Sequence, residues 1–188
     1  MTLKYIKRDK SVITNKTNLK HLHTFYNFPV FMGCTDATIK NDIKVDMSFS
    51  ICKDTGIIQL DKLLPLDVLY LWQHNDGVGA VWQDHYLEFA KFLNRYKPKK
   101  VLEIGGANNV IARNYLRLNP KSYWVNVEPH PLYKSTKRIQ IIKRWFDEKF
   151  RIDETVDTII HSHVFEHIYN PGNFLKNISN FLHIGQKH

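Results

Sequence analysis

The sequence predicts an α/β protein in which a parallel sheet follows a small β-hairpin module. Three observations lead to this fold class. Apolar runs of strand length alternate with helical patterns from residue 99 onward, the first run stops at a pair of glycines, and the second run ends in an acid. Strands that alternate with helical connections form parallel sheets, and right-handed crossovers place the four predicted strands in the order 3-2-1-4.

Composition narrows the classes of function. The 188 residues suffice for one domain and a small additional module, and 43% hydrophobic residues suffice for a packed core. The net charge of +9 is spread along the chain, which favours solvated loops over a nucleic-acid surface and suits attraction of an acidic small molecule. No apolar run reaches membrane-spanning length, and the basic N-terminus is not followed by an apolar stretch. We therefore expect a cytoplasmic protein without a signal peptide or a membrane partner.

The N-terminal third divides into two parts. Residues 1–24 are polar and show little periodicity, so we expect a flexible arm. Residues 25–64 are predicted to form a small β-rich module. In it, an alternating stretch around Phe49 and Ile51 is followed by a Lys53–Gly56 turn and a returning apolar run, which is typical of a hairpin.

Residues 65–98 are predicted to be connecting helices. Pro65 suits the first turn of a helix, and an apolar stripe from Trp82 to Leu93 predicts a second helix that ends before Pro98. Between the two lies a stretch dense in polar, aromatic and glycine residues, which a packed core does not require. A capped turn that leads into the second helix is the alternative explanation for this stretch.

Residues 99–188 contain the four strands of the parallel sheet and a closing helix around Phe174 and Leu182. The predicted strands run over 101–104, 123–128, 139–142 and 155–160. Gly105 and Gly106 follow the first strand and open a helix. Such a turn presents free backbone N–H groups and a helix N-terminus to a ligand at the carboxyl ends of the strands.

Two acids accompany this turn. Glu103 stands two residues before the first glycine, and Glu128 ends the second strand 25 residues later. An acid at the end of the second strand holds a ribose diol in dinucleotide-binding folds, because two carboxylate oxygens match two adjacent hydroxyls. An NAD-dependent enzyme is the weaker alternative, because Val110 stands where the third glycine of G-x-G-x-x-G would fall.

Two segments carry a family resemblance. Glu103-Ile104-Gly105-Gly106-Ala107-Asn108-Asn109 resembles the first motif of class I S-adenosylmethionine-dependent methyltransferases, with asparagines where the family usually has Gly or Asp. Phe165-Glu166-His167-Ile168-Tyr169-Asn170-Pro171 resembles the family segment LEHI-x-(D/N)-P. The resemblance is strongest to the branch that modifies sugars and surface polysaccharides. It implies a Rossmann-like sheet, S-adenosylmethionine as the cofactor, and methyl transfer to a sugar, a nucleotide-sugar or a polysaccharide precursor.

The resemblance also implies roles for individual residues. Glu103 is expected near the methionine end of the cofactor, Glu128 at the ribose and Ser162 at the cofactor floor, and either His163 or His167 is expected to act as general base on the acceptor. The further cofactor candidates are Gly105, Gly106, Ala107, Phe146 and Asp147, the last two at the adenine. The acceptor candidates are Tyr70, His74, Asn75 and His85.

The same branch carries an N-terminal zinc module built from two Cys-x-x-Cys pairs. Here Cys52 and Gly56 keep part of the second pair, Thr55 stands in place of its other cysteine, and Cys34 is alone upstream. Two isolated thiols do not supply the four ligands that tetrahedral zinc requires, so we expect a module without metal.

In the resembled family the sheet continues with further strands beyond the fourth, and we expect the present sequence to lack them. The fourth strand is therefore expected to be an open sheet edge without a neighbour, prone to self-association. A non-catalytic nucleotide-binding fragment is the alternative to an enzyme.

Overall fold

The computed structural model describes most of the chain and divides it into two compact units, Met1–Asp76 and Gly77–His188. The division falls inside the stretch 65–98 that the sequence predicts as connecting helices. The described residues are 4–30, 38, 40, 42–69, 79–153, 155–182 and 186–188.

The first unit is built from short antiparallel sheets. Strands β2, β3 and β4 form one sheet in that order, and β1 pairs with β5 in another. The predicted hairpin is confirmed, because β3 and β4 pair antiparallel through a turn that ends at Gly56, whose φ is +74°. The elements are β1 (Ile6–Lys7), β2 (Leu19–Pro29), β3 (Lys44–Cys52), β4 (Ile58–Leu60), β5 (Lys62–Leu63) and helix α1 (Leu66–Leu69).

The range expected to be a flexible arm contains strand residues. β1 lies within it, and β2 begins at Leu19 and pairs with β3 from that residue onward. Two register shifts, between His21 and His23 and between Phe25 and Phe28, interrupt the pairing of β2. Each bulge inserts a residue that breaks the alternation of inward and outward side chains. This strand therefore has no period-two pattern in the sequence.

Cys52 is fully buried at the end of β3. Hydrogen bonds from the Ser11 and Thr55 side chains lower the pKa of its thiol, so Thr55 contacts Cys52 at the position where the resemblance places a second cysteine. Cys34 lies outside the described residues. Within the ranges given above, no three His, Cys, Asp or Glu side chains are grouped closely enough to hold a metal ion. The expected absence of zinc remains a prediction.

The second unit holds the parallel sheet. Its order is β8-β7-β6-β9, which confirms the predicted order 3-2-1-4. Helices α2 and α3 lie on one face of the sheet and α4 on the other. The elements are α2 (Ala80–Asn94), β6 (Lys100–Ile104), α3 (Val110–Leu118), β7 (Tyr123–Val127), β8 (Ile139–Ile142), β9 (Thr158–His161), a 3-10 turn (Phe165–His167) and α4 (Pro171–Phe181).

Each face of the sheet has its own core, because successive side chains of a strand point to opposite faces. Val101 and Trp124 pack against α2 and α3 on one face. Leu102, Val125 and Ile159 pack against α4 on the other. Ala90 and Leu93 of α2 belong to the first core, so this helix is part of the α/β unit and does not merely connect to it.

The outer edge of β9 has a neighbour, which corrects the expectation of an open fourth strand. The Ile159 N–H donates to the carbonyl oxygen of Lys187 at 2.9 Å, and the Lys187 N–H donates to the carbonyl oxygen of Asp157 at 3.1 Å. Lys187 runs parallel to β9. These bonds satisfy backbone groups that an open edge would expose.

No helix in the described part of the chain is long and apolar enough to cross a membrane.

Candidate functional site

The site lies at the carboxyl edge of the sheet, where the parallel strands end, and it begins at the glycine turn after β6. Gly105 has a φ of +74°, and a Cβ there would lie 2.5 Å from Cγ2 of Val164. A Cβ on Gly106 would lie 2.5 Å from Oε2 of Glu103 and 2.7 Å from Oδ1 of Asn126. Both positions therefore require glycine, the first for its backbone conformation and the second for space.

Glu103 lies directly beneath Gly106 and is 3% exposed. Its Oε2 accepts a hydrogen bond of 2.8 Å from the indole Nε1–H of Trp124. Burial raises the pKa of Glu103 to about 7, the Trp124 hydrogen bond opposes the rise, and the nearby Glu128 carboxylate adds to it. The side chain is thus an acid whose ionisation a nearby positive charge would favour.

Glu128 follows β7 and is 9% exposed. Its Oε2 accepts the backbone N–H of Ala107 at 3.3 Å, and its Oε1 accepts the backbone N–H of His130 at 2.9 Å. Among the described residues, neither Glu103 nor Glu128 forms an ion pair with a Lys, Arg or His side chain. In the described part of the chain, two mostly buried carboxyl groups therefore share this end of the sheet without a countercharge, which is unfavourable unless a cation or several donors join them.

Asn126 and Asn109 complete the turn, and the sequence analysis assigned a role to neither. Asn126 is fully buried in β7; its Oδ1 accepts the Gly106 N–H at 3.0 Å, and its Nδ2 donates to Oδ1 of Asn109 at 2.7 Å. The only available signal was a polar residue inside the apolar strand Tyr123–Val127.

Helix α2 contacts the loops that follow β6 and β9. Nε2 of His85 lies 3.0 Å from Oγ of Ser162. Burial lowers the pKa of His85, and the neighbouring His163 lowers it further, which favours the neutral ring. Burial raises the pKa of Tyr86, and a side-chain hydrogen bond to Asn108 opposes that rise.

His163 lies in the same cluster in a left-handed backbone conformation, with a φ of +54°. Its ring centroid is 4.6 Å from that of Trp82 and 5.0 Å from that of His85. Nδ1 of His163 is 3.4 Å from Oε1 of Glu166, and half of its side chain is exposed. The structure therefore brings three predicted residues together, His85, Ser162 and His163.

His167 occupies the 3-10 turn, where its side chain is exposed. The acceptor candidates Tyr70, His74 and Asn75 lie outside the described residues.

The loop after β8 places its two predicted adenine residues differently. The Phe146 ring packs in the α4-side core against Phe150, Phe174 and Phe181. Asp147 is at the surface, where its Oδ1 accepts the Lys149 N–H at 2.9 Å. The neighbouring Trp145 is 43% exposed, and its ring centroid lies 6.1 Å from that of His130, beside Glu128.

Comparison with known proteins identifies the family. The family model described as "Methyltransferase domain" matches residues 72–185. No curated protein matched the sequence.

Solved structures similar to part of this chain include the following methyltransferases. The plantazolicin methyltransferase BpumL in complex with SAH is 17% identical, with a TM-score of 0.46 over 54% of this chain and 44% of BpumL. An O-methyltransferase from the trans-AT PKS multienzyme of Brevibacillus brevis is 20% identical, with a TM-score of 0.41 over 54% of this chain and 37% of that one. The sugar N-methyltransferase KedS8 from Streptoalloteichus sp. is 11% identical, with a TM-score of 0.44 over 61% of this chain and 54% of that one.

The chain spans less than half the length of BpumL. The family model, by contrast, covers more than half of this chain, from the residues just before α2 to just beyond α4. The chain belongs to the methyltransferase-domain family.

Proposed function

We propose that the second unit binds S-adenosylmethionine at the carboxyl edge of its sheet and that the protein transfers the methyl group to a small-molecule acceptor. The observation that carries this proposal is the pair Glu103 and Glu128, two mostly buried acids at a glycine turn that have no countercharge among the residues the structure describes. Membership of the methyltransferase-domain family supports it.

The residues present fit this cofactor. Glu128 has two carboxylate oxygens for the two ribose hydroxyls, and each oxygen keeps accepting capacity beyond the backbone N–H it already binds. Glu103 supplies negative charge for the ammonium of the methionine end. The absence of side chains at Gly105 and Gly106 lets the backbone approach the ligand. The bound cofactor would supply an electrophilic methyl group, so this chain has mainly to align the acceptor with it.

We place the adenine beside Trp145. The resemblance favours Phe146, but that ring is packed among three phenylalanines of the core. The indole of Trp145 is 43% exposed and lies next to His130, whose backbone N–H donates to the ribose acid Glu128. Asp147 remains a candidate for the adenine amino group from the same loop.

We place the acceptor on the β9 side, at His163. The Glu166 carboxylate orients the ring through Nδ1, which leaves Nε2 available to take a proton from an acceptor hydroxyl or amine. His85 and Ser162 line the same place. We assign the acceptor to sugars, nucleotide-sugars or polysaccharide precursors, as the sequence resemblance implies, and the net charge of +9 favours an acidic one.

Calorimetry on the purified chain tests the cofactor assignment. We expect S-adenosylmethionine and its demethylated product to bind, and NADH not to bind. Glu128→Gln should weaken binding at least tenfold, because a buried hydrogen-bonded charge is lost. Glu148→Gln, an exposed acid on the loop after β8, is the matched control and should bind like the wild type. Equal affinity of Glu128→Gln and the wild type would remove Glu128 from the site.

Mass spectrometry of the small molecules that co-purify with the protein addresses the acceptor. A sugar or nucleotide-sugar enriched with the wild type and lost with His163→Gln supports the acceptor assignment. If the enriched compound belongs to another chemical class and is lost in the same variant, the assignment to sugars is wrong. The location of the acceptor at His163 is then still supported.

A further inference from the structure

We infer that Asn126 is a positioning residue for the cofactor turn and that it acts as a clamp together with Asn109. This inference deepens the proposed function and rests on it, because the turn is the part of the site that would approach the cofactor backbone to backbone. Asn126 itself would touch no ligand, since it is fully buried beneath Gly106.

Both ends of the Asn126 amide bond to the turn. Oδ1 accepts the Gly106 N–H at 3.0 Å, and Nδ2 donates to Oδ1 of Asn109 at 2.7 Å. The carbonyl oxygen of Gly106 in turn accepts the Asn109 N–H at 2.6 Å. The three residues therefore form a closed ring of hydrogen bonds that joins the turn to β7.

The clamp also explains the backbone at the start of α3. Asn109 precedes the helix with a φ of +57°, a left-handed conformation that asparagine adopts more readily than most residues with a side chain. Its side chain then points back to β7 and not to the helix N-terminus, where it makes no cap hydrogen bond. This left-handed conformation is unfavourable for a residue with a side chain, and the hydrogen bond to Asn126 stabilises it.

The choice of amide over carboxylate follows from the neighbours. Oε2 of Glu103 and Oδ1 of Asn126 both face the space where a Gly106 Cβ would stand. An aspartate at position 126 would place a third carboxylate beside Glu103 and Glu128, whereas asparagine supplies the acceptor for Gly106 and a donor for Asn109 without charge.

Two variants separate the clamp from ordinary core packing. Asn126→Leu keeps the approximate side-chain volume and removes both hydrogen bonds. Val125→Ala, in the same strand but with its side chain in the α4-side core, is the matched control, because it disturbs core packing and removes neither hydrogen bond. Two quantities are measured on the full chain: amide hydrogen exchange in the ligand-free protein, with Gly106 compared with Ile159 of β9, and S-adenosylmethionine affinity by calorimetry.

We expect Asn126→Leu to speed exchange at Gly106 on the order of tenfold while Ile159 stays near its wild-type rate, and to weaken cofactor binding on the order of tenfold. Val125→Ala should accelerate exchange at Gly106 no more than at Ile159 and should keep cofactor affinity within about threefold of the wild type. The clamp is contradicted if the Gly106 amide of Asn126→Leu exchanges at the wild-type rate. It is also contradicted if exchange at Gly106 and at Ile159 is accelerated equally.

If Asn126→Leu does not fold, Asn109→Gly replaces it. Glycine keeps the left-handed backbone and removes only the acceptor of Nδ2, and we again expect faster exchange at Gly106 than in the wild type. An unchanged Gly106 rate in that variant overturns the inference. If the wild type does not bind S-adenosylmethionine, the proposed function is wrong. The exchange measurement still decides whether the clamp exists, because it is made without ligand.

Discussion

The two sides of the carboxyl edge differ in how completely they are built. On the β6–β7 side, the side chains of Glu103, Asn126 and Glu128 are at most 9% exposed, and each accepts a hydrogen bond: from the Trp124 indole, from the Gly106 N–H and from the Ala107 N–H, respectively. On the β9 side, His163 is half exposed and contacts other rings and Glu166. The polar side chains on the first side are buried and hydrogen-bonded, which suits a cofactor that is the same in every reaction. The side chains on the second side are more exposed, which suits an acceptor.

The largest expected effect is that of Gly106→Ala. The added Cβ would lie 2.5 Å from Oε2 of Glu103, and both that carboxylate and Asn126 would have to move. We expect S-adenosylmethionine affinity to fall at least a hundredfold and the free energy of unfolding to fall by about 1–3 kcal/mol. Calorimetry and denaturant unfolding measure the two quantities.

Gly172→Ala is the control for this substitution. A Cβ at Gly172, in the first turn of α4, would meet only Oδ1 of Asn170 at 3.7 Å, which is an ordinary contact. Alanine in a helix should leave affinity unchanged and raise the free energy of unfolding by about 0.5–1 kcal/mol. Equal loss of affinity in the two variants would show that the Gly106 turn is not a special position.

The next effect concerns pH. The pKa of Glu103 is raised to about 7 in the free protein. An ammonium group bound nearby favours the ionised form of this carboxyl over the protonated form. Between pH 5.5 and 7 the amino group of the ligand stays protonated, and affinity should rise about tenfold as Glu103 loses its proton. Calorimetry across this range tests the expectation, and Glu103→Gln should flatten the profile whereas Glu148→Gln should not.

The stability of the free protein should show the opposite slope from the same group. The folded pKa of Glu103 lies above the unfolded value of 4.5, so between these values the folded state binds more protons than the unfolded state. The contribution of Glu103 is therefore fully present below pH 4.5 and is lost as pH rises to about 7, on the order of 3 kcal/mol. If denaturant unfolding gives wild type and Glu103→Gln the same slope in this window, Glu103 is not the group responsible.

A smaller effect distinguishes two neighbouring aromatic residues. Trp145→Ala should weaken S-adenosylmethionine binding several-fold, because a stacking interaction of about 1 kcal/mol is lost. Phe146→Ala should lower the free energy of unfolding by about 2–4 kcal/mol, because a ring of the α4-side core is removed. Calorimetry measures the affinity of both variants, and denaturant unfolding measures their stability. If Phe146→Ala loses affinity and Trp145→Ala does not, the adenine binds at Phe146.

The smallest effect on the cofactor should come from the β9 side. His163→Gln is expected to change S-adenosylmethionine affinity less than about twofold, because the side chain acts on the acceptor and not on the cofactor turn. Calorimetry at pH 7.5 gives the value. A loss as large as that of Glu128→Gln would mean that the two sides of the edge form one binding surface.

The predictable part of this molecule is the part governed by chain-local patterns. The sheet order followed from four apolar runs and the handedness of crossovers, and the glycine turn with its acids was visible because Glu103, Gly105, Gly106 and Glu128 have fixed places relative to the strands. Asn126 was not predictable, because a lone polar residue in an apolar strand does not reveal which backbone group it bonds.

Two further differences have equally local causes. Because β2 contains two bulges, its apolar and polar residues do not alternate, and the sequence pattern therefore does not predict a strand there. Trp145 and Phe146 are adjacent aromatic residues in an irregular loop. Nothing in their order determines which ring turns toward the core.

The polar groups beneath the turn all occupy one face of the sheet. Glu103 and Asn126 lie on the face of Val101 and Trp124, whereas Leu102 and Val125 present an unbroken apolar surface to α4. A single inserted residue in β6 ahead of Glu103 would exchange the two faces, sending a carboxylate among phenylalanines and an isoleucine under the glycines. Length variation should therefore be forbidden inside β6 and β7 yet tolerated in the loops at their amino ends, and tolerance of substitutions along these strands should alternate residue by residue.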